Sequence, residues 1–154
     1  MSRTIAITGA GSGIGLAIAK KFAESGDRVH VADISSDRLA AARAAIDAPI
    51  HTSVVDVTDA GAVRAFVEAA DADGNLSVFV SNAGIFDGYA GVEETTPELW
   101  GRIIGVNLTG AYHGIKAAAD VMSPRGHGRI IIIGSVAGQR GAADGLAYAA
   151  SKAG

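Results

Sequence analysis

Short runs rich in β-branched residues alternate along the chain with longer stretches whose apolar positions recur every three to four residues. The runs at 4–8, 28–34, 50–57, 76–81 and 129–134 predict five strands. Between them the longer period predicts a helix from Gly13 to about Ser25 and an alanine-rich helix over 37–46. A third helix is expected to be capped by Thr58 and to run through Ala62, Phe66 and Ala69 on one face. Thr96-Pro97-Glu98 reads as N-cap, proline at the first helical position and an acid in the first turn. It opens a long helix reaching about Met122, where Ser123-Pro124 ends it. Strands alternating with helices of this length predict βαβ units and a parallel sheet. Val78-Phe79-Val80 and Ile130-Ile131-Ile132-Ile133 lack polar alternation, as expected of strands with helices packed on both faces. Right-handed crossovers then make an α/β, doubly wound fold.

Composition narrows the classes. At 154 residues the chain is one domain's worth, and no linker, low-complexity segment or repeat divides it. With 49% hydrophobic and 19% charged residues it can collapse, which excludes disorder. A net charge of −3 without a basic block excludes a grip on nucleic-acid phosphates. Zero cysteines exclude disulfides, thiolate zinc sites and a cysteine nucleophile. His30, His51, His113 and His127 are scattered without ligand spacing and are expected at the surface, so no metal site is predicted. The apolar run after Met1 is too short for a signal peptide, and no stretch approaches the roughly 20 apolar residues of a membrane helix. A cytoplasmic protein with no membrane partner is the expectation.

The 21 glycines are unevenly spread. Thr8-Gly9-Ala10-Gly11-Ser12-Gly13-Ile14-Gly15 joins the first strand to the first helix in the spacing G-x-x-x-G-x-G. A glycine turn there lets backbone N–H groups and the helix N-terminus meet a pyrophosphate; packing alone is the other use of such a turn. Asp33 ends the second strand 18 positions after Gly15, near the roughly 20-residue offset of a ribose-binding acid. A carboxylate there accepts hydrogen bonds from ribose hydroxyls and repels a 2′-phosphate, which favours NAD over NADP. The alternatives are that Asp33 caps the turn before Ser35-Ser36, or that Arg38 offsets its charge.

Ser135 follows the isoleucine strand, and Tyr148-Ala149-Ala150-Ser151-Lys152 follows it. If Tyr148 begins a helix, Lys152 lies one turn on and shares its face. A phenol titrates near 10, and a cation within about 4–6 Å lowers that by roughly 1–3 pH units, enough to trade a proton near neutrality. A lone Tyr-x-x-x-Lys also occurs by chance on helices.

Taken in order, the glycine turn, Asp33, Asp56-Val57, Asn82-Ala83-Gly84, Asn107, Ser135, Tyr148 and Lys152 resemble the short-chain dehydrogenase/reductase family over the whole chain. The likeness is greatest to bacterial NAD(P)-dependent alcohol dehydrogenases and 3-oxoacyl-carrier-protein reductases. It implies a Rossmann-type sheet and a hydride exchanged between NAD(H) and a secondary alcohol or ketone. It also implies roles. Gly9, Ser12, Gly13, Ile14 and Gly15 line the pyrophosphate; Asp33 holds the adenosine ribose; Asp56 and Val57 meet the adenine; Asn82, Ala83 and Gly84 back the cofactor. Tyr148 is the acid/base, and Lys152 binds the nicotinamide ribose and depresses the tyrosine's pKa. Ser135 holds the substrate oxygen, and Asn107 anchors a water between Lys152 and solvent. Read singly, Ser135 is a strand-end turn residue, Asn107 a helix-interior amide and 82–84 a plain turn. Phe86 and Tyr89 either floor a substrate pocket or pack on the core.

The chain ends two residues past Lys152, where family members continue into a sixth strand, a substrate loop with its helix, and a seventh strand. The expectation is therefore a single domain over 1–154, C-terminally incomplete relative to the family. Its tyrosine helix would have little body, and its fifth strand would be an uncovered apolar edge. The competing reading is a non-catalytic dinucleotide-binding module. The family implies a homo-oligomer formed through the long helix and the tyrosine helix. Residues 139–146 are too generic to name the substrate.

Overall fold

The structure is a computed structural model that describes residues 3–140 and 145–154; part of the 139–146 segment thus lies outside the described residues. Strands β1 (Thr4–Thr8), β2 (Arg28–Asp33), β3 (Ile50–Val54), β4 (Leu76–Ser81) and β5 (Arg129–Ile132) form one parallel sheet in the order β3-β2-β1-β4-β5. The strand order reverses between β1 and β4, so a crevice opens beyond their C-terminal ends. This is the doubly wound α/β sheet that the alternation of periods predicts, and the Rossmann type that the family resemblance implies.

Successive residues of a strand point to opposite faces, and here each face has its own core. Ile5, Ile7, Val29, Val31, Val78 and Val80 pack against α1 (Gly13–Glu24) and α2 (Ser36–Ala45) through Ala19, Ala23 and Leu39. On the other face Ala6, Ala32, Leu76 and Phe79 meet Val63, Phe66 and Val67 of α3 (Ala60–Ala70) and Ala117, Ala118 and Met122 of α5 (Gly110–Met122). Two covered faces are why the central strands carry no polar alternation. The outer strand differs: Ile131 and Ile132 of β5 are exposed, and Ile132 keeps 57% of its surface. No helix of the described residues is long and apolar enough to cross a membrane.

Several boundaries depart from the sequence reading. Asp59, not Thr58, caps α3: its Oδ1 accepts from Gly61 N at 2.8 Å and Ala62 N at 3.1 Å. Thr58 instead donates from both N and Oγ1 to Asp56 Oδ1 at 2.9 and 2.8 Å. That Asx turn is what pulls residues 55–57 out of β3. β2 stops at Asp33 and β5 at Ile132. The long helix is not uniform. It starts as α4 (Pro97–Ile104), with Thr96 Oγ1 accepting from Leu99 N as predicted, then widens into a π segment at Gly105–Thr109 before α5. Of the four histidines expected at the surface, His51 and His127 are exposed, whereas His30 and His113 pack into the fold. His30 and His51, opposite each other on β2 and β3, stack at 4.3 Å, while His113 Nδ1 lies 3.0 Å from Val57 O; both His30 and His113 are half-buried. Desolvation, with His51 and Arg28 adding to it, pushes the His30 pKa down to about 4.

Candidate functional site

The crevice begins with the glycine turn, which is held by the strands beneath it. Thr8 Oγ1 accepts from Asn82 N and Ala83 N at 3.2 and 3.3 Å, and Asn82 Nδ2 donates to Thr8 O at 3.0 Å and Gly9 O at 2.9 Å. Gly15 is a buried packing point: a Cβ there would strike Gly9 O and Asn82 Nδ2. Gly15 therefore does not line the crevice, whereas Gly9, Ser12, Gly13 and Ile14 do. The first N–H groups of α1 have no carbonyl one turn back, and the N-cap Ser12 makes no side-chain cap bond. A helix of 12 residues thus presents its positive end to the crevice without a side-chain acceptor from its cap.

Asp33 is 5% exposed and heavily committed. Its Oδ2 accepts from Gly11 N at 3.1 Å; its Oδ1 accepts from Ser35 N at 3.0 Å and from Arg38 Nε and Nη2 at 2.9 and 2.6 Å. The turn-capping use and the Arg38 pairing are both present, beside a crevice that Asp33 and Arg38 line together. Asp56 and Val57 line the same end, with Asn82, Ala83 and Gly84 along the middle.

At the far end stand Tyr148 and Lys152, both on α6 (Leu146–Ala153), which starts two residues before the tyrosine. One turn apart, they place Lys152 Nζ 5.8 Å from the Tyr148 ring centroid. Nζ donates to Ile133 O at 3.1 Å, and burial holds the lysine's pKa below its ordinary value. Asn107 sits inside the π segment. Its Nδ2 donates to Ile85 O at 2.9 Å and Ser151 Oγ at 3.0 Å, and its Oδ1 accepts from Ile85 N at 2.8 Å. The widened turn aims this amide inward, where it ties the loop after β4 to α6. Ser135 caps a 3₁₀ turn by accepting from Ala137 N at 3.2 Å and does not line the crevice. Phe86 lines it and meets the Tyr148 ring edge-on at 5.1 Å, with Tyr89 beyond at 4.6 Å. The crevice holds about 470 Å³. Reading the sequence missed Asp87, whose carboxylate reaches Tyr148 N at 2.8 Å, and Ser151, whose hydroxyl donates to Tyr148 O at 2.8 Å. Neither carries a spacing signal.

Residues 3–154 match the short chain dehydrogenase family, and the chain belongs to it. Among curated proteins it is 35% identical to levodione reductase of Leifsonia aquatica over 99% of this chain and 59% of the relative. It is 41% identical to galactitol 2-dehydrogenase of Agrobacterium fabrum over 96% and 58%. With the 3-oxoacyl-[acyl-carrier-protein] reductase MabA of Mycobacterium tuberculosis it shares 39% identity over 100% and 59%. The crystal structure of levodione reductase superposes with a TM-score of 0.92 at 34% identity, covering 99% of this chain and 61% of that one. NAD+-bound xylitol dehydrogenase superposes equally well, at 0.92 and 32% identity over 98% and 60%. An actinorhodin polyketide ketoreductase variant with NADPH gives 0.91 at 32% over 100% and 62%. The chain thus spans about three fifths of the length of these relatives.

Proposed function

We propose that this chain carries the dinucleotide-binding and proton-transfer parts of an NAD(H)-dependent oxidoreductase acting on a secondary alcohol or its ketone. One observation carries the reading: Tyr148 and Lys152 open onto the same crevice as the glycine turn and Asp33. A nicotinamide dinucleotide fits these residues, because the uncapped N-terminus of α1 suits its pyrophosphate and a buried carboxylate suits its ribose. When bound, that cofactor supplies hydride acceptance and donation. Gly9, Ser12, Gly13 and Ile14 hold the phosphates, Asp33 the adenosine ribose, Asp56 and Val57 the adenine side, and 82–84 the wall behind. Tyr148 takes the hydroxyl proton of the alcohol, or returns it to the carbonyl oxygen. Lys152 sets a positive charge behind the phenol and reaches a ribose hydroxyl. Ser135 binds the substrate oxygen once its bond to Ala137 N is exchanged, and Asn107 holds the helix that bears the tyrosine.

NAD is favoured over NADP because Asp33 is an anion and no lysine or arginine stands in the glycine turn. Arg38 lines the crevice but is engaged by Asp33. Relatives of comparable likeness carry either NAD+ or NADPH. Self-association along α4 and α5, where Trp100 and Tyr112 are exposed, belongs to the same proposal.

A non-catalytic dinucleotide-binding module is the second reading, favoured by the engagement of Ser135 away from the crevice. Following NADH formation with secondary alcohols such as cyclohexanol and 2-octanol separates the two. The enzyme reading expects turnover that Tyr148→Phe lowers by about 10²–10⁴-fold while NADH still binds. NADH binding without turnover selects the module, and absence of NADH binding removes both.

A further inference from the structure

Helix α6 lacks a cap of its own. Its N-cap residue is Gly145, which has no side chain to offer the orphan N–H groups of the first turn. Two of those groups are met by the loop after β4, far back in the chain. Asp87 Oδ2 accepts from Tyr148 N at 2.8 Å, the third residue of the helix and the N–H that a capping side chain normally serves. Ala90 O of the same loop accepts from Leu146 N at 2.9 Å. Asp87 is 8% exposed, so it was moved out of water to reach this place, and among the described residues its Oδ1 has no hydrogen-bond partner. Burying a carboxylate with one oxygen unmet costs free energy. Gly145 completes the arrangement: its φ of +92° and missing Cβ make room, since a Cβ there would collide with the Asp87 carboxylate.

We infer that Asp87 is a positioning residue for Tyr148, acting as a helix cap supplied from the loop after β4. The inference rests on the acid/base reading of Tyr148. Asp87 does not line the dinucleotide crevice, but its neighbour Phe86 does, and packs edge-on against the Tyr148 ring. Loop and helix are thereby locked at one height, and the phenol is set against whatever the crevice holds. An anion at a helix N-terminus adds a favourable interaction with the macrodipole.

The test uses the full chain with NAD+ and cyclohexanol, beside Tyr148→Phe. Asp87→Ala is expected to lower kcat by about 10–100-fold, the cost of a misplacement near 1 Å, with NADH affinity unchanged to within about twofold. Asp87→Asn keeps one acceptor and restores kcat to within about threefold of the parent. Gly145→Ala, which displaces the same carboxylate, gives a loss that does not add to that of Asp87→Ala. Hydrogen exchange at the Tyr148 amide, read without turnover, speeds at least about tenfold in Asp87→Ala and not in Asp87→Asn. An Asp87→Ala protein with parental kcat, beside an inactive Tyr148→Phe, overturns the inference. So does an Asp87→Asn protein as impaired as the alanine variant. If the parent chain does not oxidise cyclohexanol, or Tyr148→Phe still does, the acid/base reading falls instead. The cap is then judged on the amide alone, where unchanged exchange overturns it.

Discussion

The two ends of the crevice are built differently. The glycine-turn end is fastened to the sheet: Ala10 N donates to Ala32 O at 3.0 Å, Gly11 N to Asp33, and Asn82 at the tip of β4 grips Thr8 O and Gly9 O. The tyrosine end is fastened by side chains on segments outside the sheet, with Asn107 in a π segment, Asp87 in a loop and Ser151 in α6 converging on one helix. On the proposed reading, binding would rest on a scaffold with two buried cores, and proton transfer on a few bonds. Substitutions at one end should change affinity and stability together; those at the other should change turnover first.

Gly15→Val is expected to have the largest effect. Its side chain would enter the space of Gly9 O and Asn82 Nδ2, and the turn cannot yield without leaving β4. Destabilisation of about 2–3 kcal/mol and at least about thirtyfold weaker NADH binding should appear in thermal unfolding and in NADH fluorescence titration. Retained affinity would show that the turn is not fastened as described.

Asn107→Ala probes the other end. It strips both Ile85 backbone groups and Ser151 of their partner, for an expected loss of about 1–3 kcal/mol. The comparison sharpens if turnover falls while NADH affinity stays within about twofold. Should both fall equally, the ends are not separable.

The same contrast governs what could be read from the sequence. The placement of the glycine turn and Asp33 at one crevice is legible because it depends on local chain geometry: a strand, a tight turn, a helix start and an acid at the next strand end. The sheet is legible for the same reason, since uninterrupted runs such as 78–80 declare two covered faces. Boundaries set by a single competing carboxylate were not, as with Asp56 drawing Thr58 away from α3. The π segment was not, because the weak helix formers of Gly105–Thr109 do not distinguish a widened turn from a poor helix, and the widening is set by what Asn107 reaches. Asp87 was invisible because its partner is an amide 61 residues away. His30 and His51 looked unrelated until β2 and β3 were in register.

Asp33→Ala tests whether specificity lives at the sheet-bound end. Removing the carboxylate takes away the proposed acceptor for a ribose hydroxyl and the partner that holds Arg38. The ratio of NADH to NADPH affinity should fall by about tenfold, close to 1.4 kcal/mol. An unchanged ratio takes Asp33 out of the ribose role. Arg38→Ala should move the ratio the other way, because the freed carboxylate then faces a 2′-phosphate with its charge uncompensated.

The smallest expected effect concerns the stability contributed by Lys152. Burial lowers its pKa in the folded chain, so the unfolded chain holds the proton more tightly. Between the lowered folded pKa and the ordinary value near 10.4, the unfolded state binds more protons than the folded one. Stability contributed through this group therefore rises with pH across that window, and below it the cost of burying the charge is present in full. The side chain is half-exposed, which screens that cost, and its bond to Ile133 O partly offsets it. Lys152→Met should consequently change neutral-pH stability by less than about 1 kcal/mol and flatten the alkaline rise in urea midpoint, while abolishing turnover. A strong loss of stability in Lys152→Met would mean that the lysine holds the tyrosine end together, and the contrast between a scaffold for binding and a few bonds for chemistry would lose its clearest case.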